Sequence, residues 1–448
     1  MTCGNVRTKL RDLPILAKNR LVIVFFLALV PILFLNSLML HAQAEPVPNE
    51  STPNAASPLS IQLEPALKDP LDAILLSKVE KGELVGVVLL VAKDGVLVYE
   101  GAAGFADREN GTPMETYNLF RLASVSKAYT AMAAGVLISN GLLDIDSPIG
   151  NYLPAFSQSN EKILDKRSLN ITVRHLLNHQ SGFNYGFSEK PGGPYAALGV
   201  SDGCEKNPGL TLEENLERLA RAPLLYTPGQ SYSYSVSSDV LGAVISSAYG
   251  KTFSEAMEEL VLLPLGIYDT GFIAKFPERL TTHYRSASPS PKRMSEPERF
   301  NLGSGRVLTL SPERALDPTN FPSGGCGMVG SAPDLLILLE AIRQDGGGIV
   351  SPAVMDSFYQ DAIAPVKTSP GEGFGASWGV VLNPGAAKLP VGKGTVHWGG
   401  VYGHNWYVDR ENGISIVLLT NTALKGMSGN TKDLVLKEVY SFYPAQGG

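Results

Sequence analysis

The sequence predicts an α/β chain of the α+β kind: one antiparallel sheet flanked by terminal helices, with a mainly helical region inserted between its two halves. Three observations predict it. Strand-like runs gather at 84–103 and again at 376–421, while the stretch between about 172 and 344 carries helical spacing. The first two runs are separated by Asp94-Gly95, the strongest short hairpin signal. Helical patterns at Pro65–Lys81 and Thr431–Tyr440 bracket the strand regions.

Taken in order, the chain opens with an export pattern. A basic stretch precedes Leu21–Leu40, a run without a charge, and Ala42-Gln43-Ala44 fits a small-x-small cleavage site. Residues 1–44 therefore read as a signal peptide, and the protein as exported, periplasmic or secreted. The apolar run is also long enough to span a bilayer, so a membrane anchor over 21–40 is the alternative. Pro31 in its middle and the alanines after it favour cleavage. Residues 45–64, rich in Pro, Ser and Asn, read as a flexible linker. The domain follows over 65–443, its sheet drawn from 65–122 and 365–443 and its helical insertion from 123–364.

Within the domain, Leu84–Lys93 and Val96–Ala103 form the hairpin. A buried helix follows Ser124 and stops near Asn140-Gly141, where glycine suits a helix end. Helices are expected at Thr172–Asn178, Leu212–Arg221, Ser238–Tyr249, Ser254–Leu263 and Ala332–Arg343. Long Gly-, Pro- and Ser-rich loops at 184–209 and 283–322 have the length of functional loops. Strands return at Ala376–Leu382, Gly394–Trp398, Asn405–Asp409 and Gly413–Asn421.

Composition bounds the function. Of 448 residues, 44% are hydrophobic and 18% charged, which describes a globular protein with a sizeable core. Net charge is −6, and the export segment holds five basic residues and one acidic, so the remainder is more acidic still. That balance gives no footprint for nucleic acid or an anionic membrane surface. Without Cys3 two cysteines remain, Cys204 and Cys326, which could pair in an oxidising compartment.

The chemistry is concentrated in FRLASVSKAYTAMAA, residues 120–134. Ser124 and Lys127 are three apart, and on a helix such positions share a face, so the amine can reach the hydroxyl. A serine hydroxyl is a poor nucleophile until a base takes its proton. A lysine on a buried apolar helix face loses hydration of its charged form, which makes a neutral amine available. The N–H of Ser124, at a helix start, is free to face an oxyanion.

Four further stretches stand in register with this one: GFADRENGTPMETYNLFRLASVSK leading into the serine, ITVRHLLNHQSGF at 171–183, PGQSYSYSVSSDVLG at 228–242 and HWGGVYGHNWYVD at 397–409. Together they resemble the serine β-lactamase-related hydrolases, which include class C β-lactamases, D-Ala-D-Ala carboxypeptidases and family VIII carboxylesterases. The esterase branch is the most similar, on YSVSSDVLG and HWGGVYGHNW. The resemblance implies the β-lactamase/transpeptidase-like fold, an acyl-enzyme on Ser124, and no metal or organic cofactor. It makes Tyr234 the tyrosine of Tyr-x-Asn, sharing a proton network with Ser124 and Lys127. It makes the backbone N–H groups of Ser124 and Gly400 the oxyanion hole, and it sets His397, Trp398 and Gly399 at the substrate.

Two departures from the family pattern bear on substrate. Val236 replaces the asparagine of Tyr-x-Asn, removing an amide that could bind a peptide-like carbonyl. His397-Trp398 replaces the Lys-Thr that faces a carboxylate in β-lactamases, and an indole there narrows and dries the pocket. Both favour a small-molecule ester over a β-lactam or a D-peptide, whose hydrolysis at the same site is the second reading. A non-catalytic penicillin- or peptide-binding protein is the third, opposed by retention of Ser124, Lys127 and Tyr234.

Other patterns carry less. Gly375-Ala376-Ser377-Trp378-Gly379 fits a nucleophile elbow, but WGVVLN after it reads as a strand where the elbow requires a helix. His175 and His179 have metal-ligand spacing without the glutamate of His-Glu-x-x-His, and read as packing and capping groups. Asp144 and Asp146 read as turn residues, and Ser126 as a group pointing away from the cleft.

Overall fold

A computed structural model describes residues 59–445. The export segment and most of the linker lie outside the described residues. The domain begins with a short extended pair, Ser60–Ile61, then α1 (Pro65–Glu80), β1 (Gly86–Lys93) and β2 (Val96–Asp107). The insertion carries α2 (Ser126–Ser139), α3 (Val173–Leu177), α4 (Ser237–Tyr249), a hairpin of β3 (Glu298–Gly303) and β4 (Arg306–Leu310), and α5 (Ala332–Arg343). Strands β5 (Glu372–Phe374), β6 (Gly379–Val381), β7 (Val396–Gly400), β8 (His404–Asp409) and β9 (Ile414–Thr420) follow, and α6 (Thr431–Phe442) ends the fold.

The main sheet runs β2-β1-β9-β8-β7-β6-β5, antiparallel throughout, so the N-terminal hairpin lies beside the last strand of the chain. Ser60–Ile61 adds a parallel edge to β2, pairing Ser60 with Val96. Those two residues were expected in the tether; extended backbone beside the free edge of β2 recruits them into the sheet. At the hairpin turn Asp94 and Gly95 have φ of 50° and 84°, as a two-residue primed turn requires.

Both faces of the sheet are covered, which explains why its strands read as continuous apolar runs. Val87, Leu89 and Val91 of β1 face the terminal helices, packing with Leu67, Leu71, Leu75, Val435 and Val439. Val88 and Leu90 face the insertion, in the larger core with the helices α2, α4 and α5. Helix α2 is buried from Ser126 to Leu137, and its alanine-rich composition suits a helix packed on every side.

Trp378 anchors the larger core. It is fully buried, lies edge-on to Trp406 at 6.1 Å, and donates Nε1–H to the Phe358 carbonyl at 3.1 Å. Trp378→Ala is expected to cost about 3–5 kcal/mol in urea unfolding; a loss under about 1 kcal/mol would show that the sheet does not depend on this contact.

Most sequence-expected elements appear near their expected bounds. Three differ. The helix at Ser124 starts with a 3₁₀ turn, Ala123–Val125, before α2. The stretch expected as a helix over 254–263 is an α-turn, Phe253–Met257, running into a π-helical one, Glu258–Leu262. The expected loop 283–322 contains the β3–β4 hairpin, whose Gly303-Ser304-Gly305 turn has φ of 83°, 53° and 74°.

Candidate active site

The 3₁₀ turn that carries Ser124 is wedged between core and sheet. Ala123, its first residue, has φ of 47°, a left-handed conformation that costs a residue with a Cβ and persists because Ala123 and Val125 are fully buried. Ser124 is half-buried at the floor of the cleft. Ser126 is turned away, its Oγ accepting from Met328 N–H at 3.0 Å.

One helical turn on, Lys127 is 1% exposed. Its Nζ donates to Ser124 Oγ at 3.4 Å and to the Gly325 carbonyl at 2.6 Å. It also sits over the Tyr234 ring, 4.7 Å from the centroid, a cation–π contact. Tyr234 lies just before α4, among Tyr185, His179 and Trp398 with ring centroids 5.5, 4.8 and 5.3 Å away.

The three side chains expected at the centre thus meet in one place, but not all through hydrogen bonds. Serine and lysine are bonded to each other. The phenol oxygen accepts instead from Trp398 Nε1–H at 3.3 Å, and among the described residues this is its one hydrogen bond. The lysine is drawn to the Gly325 carbonyl and meets the tyrosine through its ring face.

Trp398 both walls the cleft and packs on the core, edge-on to Phe374 at 5.2 Å. His397 lies flat on Tyr407, and its Nε2 is 3.3 Å from Glu372 Oε1, a close polar contact rather than an aligned hydrogen bond. That contact holds the Glu372 carboxyl below the usual carboxylate range. Gly399 and Val401 line the cleft. Gly400 lies behind them, buried and paired with His404 of β8; a Cβ there would meet the Leu122 carbonyl at 2.6 Å. Only a glycine lets β7 press this closely on the nucleophile turn.

Burial, reinforced by the Lys127 charge, drives the His179 imidazole well below its usual range. It is therefore neutral, and its Nδ1 accepts from Ser235 N–H at 3.2 Å. His175 closes a capping box with Thr172, accepting from Thr172 N–H at 3.2 Å. Both histidines therefore have structural partners. Ser377 is buried, its hydroxyl bonded to the Leu177 carbonyl at 3.1 Å, so the elbow-like motif is structural. Asp146 holds Arg174 through two hydrogen bonds of 2.7 and 2.8 Å.

The cleft encloses about 830 Å³, within the range of small-molecule sites, and its walls are mostly apolar. Tyr185 and Phe187, stacked at 4.7 Å, enter it from the 184–209 loop. Leu302 and Leu308 enter it from the β3–β4 hairpin. These residues were not singled out from the sequence, although Gly-Ser-Gly between two apolar runs is a hairpin signal. Gly325 was missed for a different reason: its functional group is a carbonyl, which every residue has.

Comparison with known proteins supplies the lineage. The family model described as Beta-lactamase matches residues 71–440. The chain belongs to that family. Esterase EstB of Burkholderia gladioli is 41% identical over 395 residues, covering 87% of this chain and all of the relative. The solved structure of EstCE1, described as a hydrolase with promiscuous acyltransferase activity, superposes with a TM-score of 0.77 at 38% identity, covering 83% of this chain and 97% of its own. A putative D-alanyl-D-alanine carboxypeptidase of Escherichia coli K12 is 28% identical over 414 residues, covering 86% of this chain and 88% of its own. Membership makes the chain a serine hydrolase with the β-lactamase/transpeptidase-like fold, as the motifs implied.

Proposed function

We propose that the protein is an exported carboxylic ester hydrolase that works through an acyl-enzyme on Ser124. The observation that carries this reading is a serine–lysine hydrogen bond on the floor of a mostly apolar cleft walled by Trp398. In acylation Ser124 Oγ attacks the ester carbonyl, its proton passes toward Lys127, and the alcohol leaves carrying a proton. Water then attacks the acyl-enzyme, releasing the acid and returning the proton to serine. Tyr234, against the lysine and bonded to Trp398, handles protons with Lys127 at the leaving-group side. The oxyanion is held by the backbone N–H groups of Ser124 and Gly400, the second on the strand that this glycine lets press against the nucleophile turn. Each such donor is worth about 3–4 kcal/mol in the transition state.

The name of the 41% identical relative, an esterase, agrees with an ester substrate, and the hydrolase and acyltransferase activity of the 38% identical one agrees with acyl transfer through a serine. Trp398 on the cleft wall, beside His397 where the related β-lactamases carry a lysine, favours an uncharged acyl or alcohol group. The N-terminal apolar segment is the support for export, with a membrane anchor over 21–40 as the variant of that reading.

One preparation assayed on p-nitrophenyl butyrate and on nitrocefin tests the substrate class. The ester should turn over with kcat/KM at least about 100-fold higher. Preference for nitrocefin would move the assignment to β-lactam or D-peptide hydrolysis, and acylation without turnover would move it to a penicillin- or peptide-binding protein.

A further inference from the structure

Lys127 has two hydrogen-bond acceptors, and the tighter is not the serine. Its Nζ is 2.6 Å from the Gly325 carbonyl and 3.4 Å from Ser124 Oγ. The position of the amine is therefore set largely by the position of one backbone oxygen.

That oxygen belongs to a loop without regular structure, Ser323–Met328, lying across the start of α4. Glycine at 324, 325 and 327 gives the loop little intrinsic preference for one conformation. Gly327 N–H bonds the Ser323 carbonyl and Thr130 Oγ–H the Gly324 carbonyl, and the Gly325 peptide itself is held by Asp239, in the first turn of α4 and 2% exposed. Its Oδ1 accepts from Gly325 N–H at 3.2 Å and from Ser323 Oγ–H at 2.5 Å. Ser323 Oγ in turn accepts from Cys326 N–H at 3.0 Å. A Cβ on Gly325 would meet Asp239 Oδ2 at 2.8 Å, so the carboxylate lies flat against this peptide.

The two polar groups of Gly325 thus point to opposite functions. Its N–H is tied to Asp239 and its carbonyl to Lys127. A first-turn acid ordinarily serves its own helix, by charge or by capping. Here both bonds leave the helix for the loop, and the second oxygen, Oδ2, is buried without a hydrogen-bond partner among the described residues. Burying a carboxylate this way is costly, and its return is the fixed geometry of the peptide that faces the lysine.

We propose that Asp239 is a positioning residue for the reaction: through Ser323 and the Gly325 peptide it fixes the carbonyl that holds Lys127 beside Ser124. The inference rests on Lys127 being the proton-transfer group of the proposed esterase. Asp239 touches neither substrate nor nucleophile.

The test compares Asp239→Asn with Asp239→Ala on p-nitrophenyl butyrate, alongside wild type and Ser124→Ala. An asparagine oxygen can accept both hydrogen bonds, so Asp239→Asn should keep kcat within about threefold of wild type. Asp239→Ala loses both and should lower kcat by roughly 10–100-fold, with KM within about twofold. The rate at which a fluorophosphonate labels Ser124 should fall in step with kcat. An alanine variant with wild-type kcat overturns the proposal, as does an asparagine variant as slow as the alanine one. If Asp239→Ala does not fold, Ser323→Ala, which removes one arm of the link, replaces it: a fall in kcat at constant KM supports the proposal and unchanged kcat overturns it. Activity retained by Ser124→Ala would instead sink the esterase reading itself.

Discussion

Ser124→Ala is expected to lower turnover of p-nitrophenyl butyrate by roughly 10³–10⁶-fold, since loss of the nucleophile removes the acyl-enzyme route altogether. The fold should not notice. Among the described residues the Ser124 hydroxyl takes part in one hydrogen bond, a long one from Lys127, and the turn around it is held by buried neighbours such as Leu122, Ala123 and Val125. The variant should therefore unfold within about 2 °C of the wild-type Tm, which separates a chemical defect from a structural one. Labelling by a fluorophosphonate should vanish with activity. If the variant kept even a tenth of wild-type turnover, the nucleophile would have to be another residue, and the buried Ser377 could not serve without local unfolding.

Lys127→Met carries the second largest effect. Methionine fills the same buried volume and removes the amine, so kcat should fall by about 10²–10⁴-fold, the span usual for a lost general base. KM should change little, because Lys127 is not among the residues facing the cleft. Here the fold does respond. The Gly325 carbonyl loses its donor, and an unmet buried acceptor costs about 1–3 kcal/mol. A lower Tm with slow but measurable phosphonate labelling is the expected pattern. Wild-type labelling speed would show that the serine is activated from elsewhere, with Tyr234 the first candidate.

The legible and illegible parts of this site divide by the range of the interaction. Ser124 and Lys127 are three residues apart, and helix geometry alone brings them together; nothing distant had to be known. The β1–β2 hairpin was legible through Asp94-Gly95, and α2 through its run of small residues. Family resemblance brought Tyr234 and Trp398 to the same cleft, but their mutual bond depends on where a strand edge and a loop settle, which no local pattern encodes. The same holds for Gly400. Sequence ranks it beside Gly399, while strand pairing turns the two to different sides, one to the cleft and one to the nucleophile turn. Asp239 was within a recognised stretch, yet its partners stand more than eighty positions later.

The two remaining cysteines end up joined, Cys204 to Cys326 across 122 positions. One half of that bond is the residue after Gly325, and the other lines the cleft. Thiols couple where the surroundings are oxidising and stay apart in a reducing cytosol. The residue next to Gly325 is therefore tied covalently to the wall of the cleft.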